Sequence, residues 1–412
     1  MTSQPKINSE RLRALLDGIN TFGAPDRSGG FNRVGFSDAD IAVRDWFAHE
    51  MEKDGLKVSR DGANSLCGRF GPDTGACVMV GSHLDTVVDG GAFDGSLGVA
   101  VALECVRAMK EAGVTPKVPV EVVATSEEEG RFGGMLGSQA IAGLVTRDWL
   151  EQAADADGVL LTDAMRKQGL EPSALLNAAR KKGSVKAFLE LHIEQGPVLE
   201  REKLPVGLPE GATGVINLSV TLKGTANHSG TTPMDMRADA FAGLAEIATQ
   251  IPAMIERTGS EIARITIGKV ELLPNHPHTI PGEARFSVII RDSSEEVMKG
   301  LNTLFSHVVS AVAGQHGLTF EIEEKSCIPP VAFDEALVSM LDEEAQRLGF
   351  AARRMISGAG HDAQTMMAFC PSAMIFVPSR DGISHAPEEH SEWADIEKGA
   401  ELMLAALMRL AA

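Results

Sequence analysis

Tyrosine is absent from all 412 residues, so no phenol can serve as acid, base or nucleophile. Cysteine is scarce. Cys67, Cys77, Cys105, Cys327 and Cys370 are scattered without CxxC spacing, an odd and dispersed set that reads as reduced thiols in a cytoplasmic protein. Any metal is then expected on His and carboxylate ligands. No apolar run approaches the roughly 20 residues of a membrane span. The first 20 residues are polar and then amphipathic, unlike a signal peptide. Cationic residues are in deficit, 38 Lys and Arg against 57 Asp and Glu. The net charge of −19 argues against nucleic acid or an anionic membrane as partner.

A chain of this length exceeds the roughly 250–300 residues that one core supports, so two domains are expected. Helices are predicted over 8–20 and 38–55, the second capped by Ser37 or Asp38 and closed at Gly55. A hairpin over 56–70 breaks at Asp61-Gly62. A strand at 77–81, a helix to Gly113 and a strand at 118–125 then indicate a layered α/β domain. A helical segment around 134–144, a Leu/Ala-rich stretch to Ala179 and a strand at 185–193 follow. Between Thr213 and Cys327 the order becomes β-α-β-β-α-β, the split βαβ unit of a small ferredoxin-like domain. Pro205, Pro209 and Gly211 mark its entry and Pro329-Pro330 its exit. A helix at 334–349, a strand at 373–377 and a closing helix at 393–410 resume the first pattern. The expected organisation is an α/β domain in two parts, 1–212 and 329–412, around an inserted α+β domain at 213–328.

Chemistry-bearing residues gather where the predicted strands end. Gly81 to Gly98 holds His83, Asp85, Asp89 and Asp94 between a buried strand and a helix, with five glycines that let the backbone turn and approach closely. On a continuing strand His83 and Asp85 would point the same way, and Asp85 could take the second N–H of His83. A second strand runs into Glu127-Glu128-Glu129, which cannot all face one way. One of them as a metal ligand and its neighbour as a general base is a sensible division. A third strand ends at His192, and the segment after a fourth holds His385. A single histidine at a strand end is usually an ordinary polar residue, but four such ends together make coincidence a poor explanation. His, Asp and Glu without Cys is the ligand set of hydrolytic Zn²⁺ or Mn²⁺ sites, and it suits two ions roughly 3.5–4 Å apart.

The stretches GSHLDTVVDGGAFDGSLGV, EEEGRF, LELHIEQGPVLE, HSGTTPMDMRADA, SGAGHDAQ and ISHAPEE, in this order, resemble the amidase/hydantoinase/carbamoylase family of two-metal hydrolases. The resemblance implies an aminopeptidase-like α/β/α catalytic domain and an inserted domain that dimerises and acts as a lid. It implies two divalent ions, Zn²⁺ or Mn²⁺ with Co²⁺ or Ni²⁺ as options. His83, Asp94 and His192 would hold one ion. Asp94, Glu129 and His385 would hold the other, with Asp94 bridging. Glu128 would be the general base for the attacking water, and Asp85 would orient His83.

In the inserted domain, by the same resemblance, His228 would stabilise the oxyanion from across a homodimer interface, and Arg291 would clamp a substrate carboxylate. Gln195, Asn275, Gly360 and His361 would complete the substrate pocket. Gly358 and Gly360 flank Ala359, so that backbone amides there could approach an anion. Two departures bear on the substrate: His276 and His278 stand where small or aliphatic residues are expected, and Asp292 could compete for Arg291. The substrate class implied is a small ureido carboxylate, with N-carbamoyl-L-amino acids first. Allantoate, ureidoglycolate and N-carbamoyl-β-alanine are rivals, and an aminoacylase or dipeptidase activity is more remote.

Overall fold

Every residue of the strand Cys77–His83 is buried, as its apolar sequence requires of the middle of a sheet with both faces covered. The computed structural model describes residues 4–25 and 28–412, and its chain divides into two compact units. The larger comprises the residues up to Glu210 together with Ala332–Ala412, and the smaller is Gly211–Val331.

The larger unit is built on a nine-stranded mixed sheet. Its centre is parallel: Cys77–His83 lies between Val120–Thr125 and Val185–Ile193, and Ser372–Val377 follows on the far side of Val185–Ile193. The predicted hairpin, Lys57–Arg60 with Leu66–Phe70, extends one side antiparallel. Helices Ser9–Ile19, Ser96–Glu111, Trp393–Leu410 and Glu335–Leu348 pack side by side in a layer that also contacts the sheet. Ser37, not Asp38, caps the second helix: its Oγ accepts the Asp40 N–H at 3.2 Å.

The stretch with Pro205 and Pro209 reads as a break but forms a strand, Val206–Ala212, beside Ser372–Val377. Its ladder with that neighbour is a single residue pair, Phe376 with Gly207, so Pro209 removes no bond that the pairing needs. Ala352–Ser357, also unpredicted, pairs with the same strand. Its Arg353 and Arg354 interrupt the apolar pattern by which a strand is recognised.

In the smaller unit four antiparallel strands run in the order Thr319–Ile328, Gly214–Lys223, Glu283–Asp292, Arg264–Leu273. Strict alternation of buried and less buried residues along Gly214–Lys223 and Glu283–Asp292 gives this sheet one core face. Helices Ala240–Glu256 and Glu295–Gln315 cover that face, with Leu218, Val220, Phe286, Val288, Leu301 and Phe305 at the centre.

Candidate metal centre and active site

The four chemistry-bearing segments meet at the carboxyl ends of the parallel strands, the edge where open α/β sheets bind ligands. His83 ends the first strand and His192 lies one residue from the end of the third. Asp94 stands between them. Its Oδ1 is 3.1 Å from His192 Nε2 and 3.3 Å from His83 Nε2. Its Oδ2 faces the other way, 3.5 Å from His385 Nε2, which is itself 3.3 Å from Glu129 Oε2. One carboxylate therefore divides its oxygens between two donor sets, His83–Asp94–His192 and Asp94–Glu129–His385, each compact enough for one ion.

The backbone fixes both buried imidazoles. His83 Nδ1 lies 2.9 Å from the Asp85 carbonyl and His192 Nδ1 lies 2.9 Å from the Ile193 carbonyl. Each Nδ1 must carry the proton to donate, which aims Nε2 at Asp94, where loss of its own proton leaves a lone pair for an ion. The expected orienter of His83 was the Asp85 carboxylate, and here the structure differs. The strand ends at His83, so the same-face relation does not continue to Asp85, whose carboxylate instead accepts the Glu129 N–H at 3.1 Å. Asp85 Oδ1 remains 4.0 Å from His83 Nδ1.

Gly95 closes the approach. It adopts φ +61°, and a Cβ there would meet the His83 ring at 2.4 Å.

The three glutamates separate by direction. Glu127, in the left-handed region at φ +54°, turns into its own loop and accepts the N–H of Phe132 at 2.6 Å and of Gly134 at 3.3 Å. Burial pushes its carboxyl up to about 8. Glu128 enters the centre, with Oε2 3.7 Å from His83 Nε2, yet belongs to neither donor set. Glu129 belongs to the second.

Burial, with Glu129, Asp362 and Asp94 nearby, holds the Glu128 carboxyl well above the usual range although His83 opposes. Burial raises Glu129 to about 7, with Asp94 adding to it. Burial works against a charged His192, but Asp94 and Glu190 outweigh it and lift the ring to about 9. Asp94 is pushed up by burial, yet His192, His385 and His83 hold it well below the carboxylate range. An anionic carboxylate ringed by imidazoles that retain protons is a site where cations belong. The chemistry of the donors and a buried Glu129 Oε1 with no hydrogen-bond partner among the described residues both fit divalent ions.

A third compact cluster, Glu190, His192 and His361, is different. Glu190 Oε1 takes the Ser82 hydroxyl at 2.6 Å and its Oε2 takes the Ala363 N–H at 2.9 Å, while His361 Nε2 lies 2.9 Å from Ser357 Oγ. These groups are committed to holding the fold. His361 packs its ring 4.6 Å from that of His192, and burial together with that neighbour keeps it neutral.

Of the expected pocket residues, Gln195 reaches the centre: its Nε2 donates to Asp94 Oδ2 at 2.7 Å. Gly360 is packed against Met135, whose Cε would lie 2.7 Å from an added Cβ. The Ala359 amide, expected to approach an anion, donates to Ser357 Oγ at 3.1 Å. A cleft of about 870 Å³ opens beside Glu129, with Phe36, Val87, Val88, Arg131 and Asp155 in its walls.

His228, Asn275 and Arg291 belong to the smaller unit. His228 pairs with Thr279, which brings it to the turn that carries Asn275. Its Nδ1 accepts the N–H of Gly230 at 3.0 Å and of Thr231 at 3.2 Å, so the proton sits on Nε2. Arg291 lies on the sheet face away from the helices, half-buried, and burial lowers its pKa. Asp292 alternates to the opposite face. Its oxygens take Ser260 Oγ at 2.6 Å and the Ser294 N–H at 2.8 Å, so they are committed elsewhere.

Sequence reasoning missed Arg33, Arg44 and Glu389. Both arginines are fully buried, where they donate to carbonyls at Leu84, Ala124 and Thr125 beside the centre. An arginine within the apolar stripe of helix Asp38–Lys53 was the available signal for Arg44.

Residues 79–409 match the peptidase family M20/M25/M40, and the chain belongs to that family. More narrowly, it is 39% identical over 411 residues to an N-carbamoyl-L-amino acid amidohydrolase of Geobacillus stearothermophilus, over 98% of this chain and 99% of the relative. It is also 34% identical over 421 residues to an allantoate amidohydrolase of Bacillus subtilis (strain 168), over 100% of each. Among solved structures, an amidase of the hydantoinase/carbamoylase family from Burkholderia multivorans gives a TM-score of 0.90 at 32% identity, over 99% of each chain. The protein is accordingly an amidohydrolase, acting on C–N bonds in non-peptide linkages. Among the described residues no helix is long and apolar enough to cross a membrane, and all five cysteines are free.

Proposed function

We propose that the protein hydrolyses the ureido C–N bond of an N-carbamoyl-L-amino acid, giving the L-amino acid, CO₂ and ammonia. The observation that carries this reading is the division of Asp94 between two donor sets with Glu128 beside them. His83, Asp94 and His192 would hold one ion, and Asp94, Glu129 and His385 the other. Zn²⁺ and Mn²⁺ suit these ligands best, with Co²⁺ and Ni²⁺ as alternatives. Bound divalent ions supply Lewis acidity, lowering the pKa of water toward neutrality and polarising the ureido carbonyl.

Glu128 takes the proton of the attacking water and delivers it to the departing nitrogen. Its place beside His83 and outside both donor sets supports that role. His228 donates from Nε2 to the developing oxyanion, a use its two amide contacts prepare by fixing the tautomer. Arg291 pairs with the substrate carboxylate and Gln195 and Asn275 line the pocket, with Gly360 and His361, whose contacts are to Met135, Ser357 and His192, supporting it from within the larger unit. The walls at Phe36, Val87 and Val88 suit the substrate side chain.

We assign the smaller unit a dimerising and lid role, with His228 serving the partner subunit. Its outer strand Thr319–Ile328 is largely exposed and bears Phe320 and Ile328 on the surface, which supports pairing of edges.

Allantoate is the second reading, favoured by the full-length similarity to an allantoate amidohydrolase. The test uses chelator-stripped protein reloaded with Mn²⁺ or Zn²⁺ and a panel of N-carbamoyl-L-amino acids, N-carbamoyl-β-alanine, allantoate and N-acetyl-amino acids, followed by mass spectrometry. Metal-dependent loss of the carbamoyl series supports the first reading. Turnover of allantoate alone selects the second, and no ureido turnover overturns both.

A further inference from the structure

We infer that Glu389 is a positioning residue that locks the bridging Asp94 to the segment carrying His385. The inference rests on the reading of Asp94 and His385 as metal ligands. Glu389 is only 4% exposed. Its Oε1 accepts two consecutive backbone amides, Phe93 N at 2.9 Å and Asp94 N at 3.0 Å. Its Oε2 accepts from Ser384 Oγ at 2.9 Å, and that same Oγ lies 3.0 Å from Asp94 Oδ2. One carboxylate thus holds Asp94 from behind through its backbone, while Ser384, whose single hydroxyl proton serves either Glu389 or Asp94, stands between the two carboxylates in front. Ser384 is in turn the chain neighbour of His385.

Two further observations set Glu389 apart from an ordinary buried acid. Among the described residues no Lys or Arg forms an ion pair with it, although a buried carboxylate is costly without a cation nearby. Two divalent ions at Asp94 would provide that compensation. Also, Gly91 passes so close that an added Cβ would lie 2.1 Å from Glu389 Oε1, so the loop that ends in Asp94 is moulded on this carboxylate. The ion shared by Asp94, Glu129 and His385 draws ligands from both segments that Glu389 joins, so it should be the one most affected.

The test is calorimetric titration of Mn²⁺ into chelator-stripped full-length protein, with the thermal midpoint of the metal-free form recorded beside it. Wild type should take two ions. Glu389→Ala should raise the Kd of at least one ion by about 10- to 100-fold, the range seen when a partner of a metal ligand is removed. Glu389→Gln keeps an oxygen for both amides but loses the charge that favours the ions, so its affinity should fall between those of Glu389→Ala and wild type. Ser384→Ala should lose affinity by a smaller factor. A Glu389→Ala protein with a lowered metal-free midpoint but a wild-type isotherm would mean a purely structural residue and overturn the inference. If that variant does not fold, a wild-type isotherm for Ser384→Ala overturns it instead. Asp94→Asn separates the two levels. If it keeps both ions, the metal assignment falls and this role with it; if it loses them while Glu389→Ala does not, only this inference falls.

Discussion

Arg44 donates from Nη2 to the backbone carbonyl of Thr125 at 2.7 Å, so an early helix holds the last residue of the strand that delivers the three glutamates. The guanidinium has no solvent exposure, and its Nε donates to Asp40 Oδ1 at 2.8 Å. Arg44→Met would leave two buried carboxylates, Asp40 and Asp85, without their cation and two carbonyls without their donor. The expected loss is about 3–5 kcal/mol of unfolding free energy, measured by urea denaturation. Asp40→Asn on that background should recover part of it, because one of the two carboxylates facing Arg44 is then neutral while Asp85, 3.7 Å from Nη2, keeps its charge.

Glu128→Gln separates the base from the ligands. Glu128 is in neither donor set, so metal content by elemental analysis should stay at the wild-type level. Turnover should fall by about 10²- to 10⁴-fold. A variant that loses its metal, or one that keeps full turnover, would contradict the assignment of the base.

The metal-free protein should lose stability as pH rises from 7 to 9. His192 is raised from its ordinary 6.5 to about 9, so its contribution is complete below 6.5 and disappears as pH passes through about 9. Asp94, held low, keeps its full contribution throughout that range, and the cost of burying His361, also held low, falls chiefly below pH 6.5, so neither accounts for the loss. The thermal midpoint of stripped protein should therefore fall across this window. Uptake of Mn²⁺ should release protons over the same window, read from the dependence of calorimetric heat on buffer ionisation.

The smaller unit offers a separable pair of effects. Arg291→Ala should chiefly raise KM if it binds the substrate carboxylate. His228→Ala should instead lower kcat by about 10²- to 10³-fold, as expected for one oxyanion donor. Mixing inactive His228→Ala with inactive Glu128→Gln protein should restore some activity if His228 serves the partner subunit. No recovery in exchanged mixtures would place it in its own subunit.

The strands and helices that frame the centre were legible because their apolar residues recur at strand and helix periods, and the strand Val185–Ile193 was read to the residue. The His and carboxylate clusters stood out because they interrupt apolar runs at strand ends. Other features depend on neighbours remote in sequence. Nothing local distinguishes Glu389 from Glu388 in the run Pro387-Glu388-Glu389, and only the fold turns one of them to the Asp94 amide. The role expected of the Asp85 carboxylate failed for the same reason: where a strand stops decides which way the next residues face. Val206–Ala212 was obscured by Pro209, whose missing N–H matters only when a neighbour needs it.

Phe93 and Glu389 lie 296 positions apart, yet they meet at the centre. Synthesis runs from the amino terminus, so His83, Asp94, Glu129 and His192 are all made before Gly211–Val331, and His385 only after it. The smaller unit has its own core and can fold as it emerges. The centre cannot: until Ser372–Val377 enters the sheet beside Val185–Ile193, the segment bearing His385 has no fixed place. Competence for chemistry thus arrives as one of the last events in the life of the nascent chain, and a truncated product that lacks its final strand and helix is left without the second donor set.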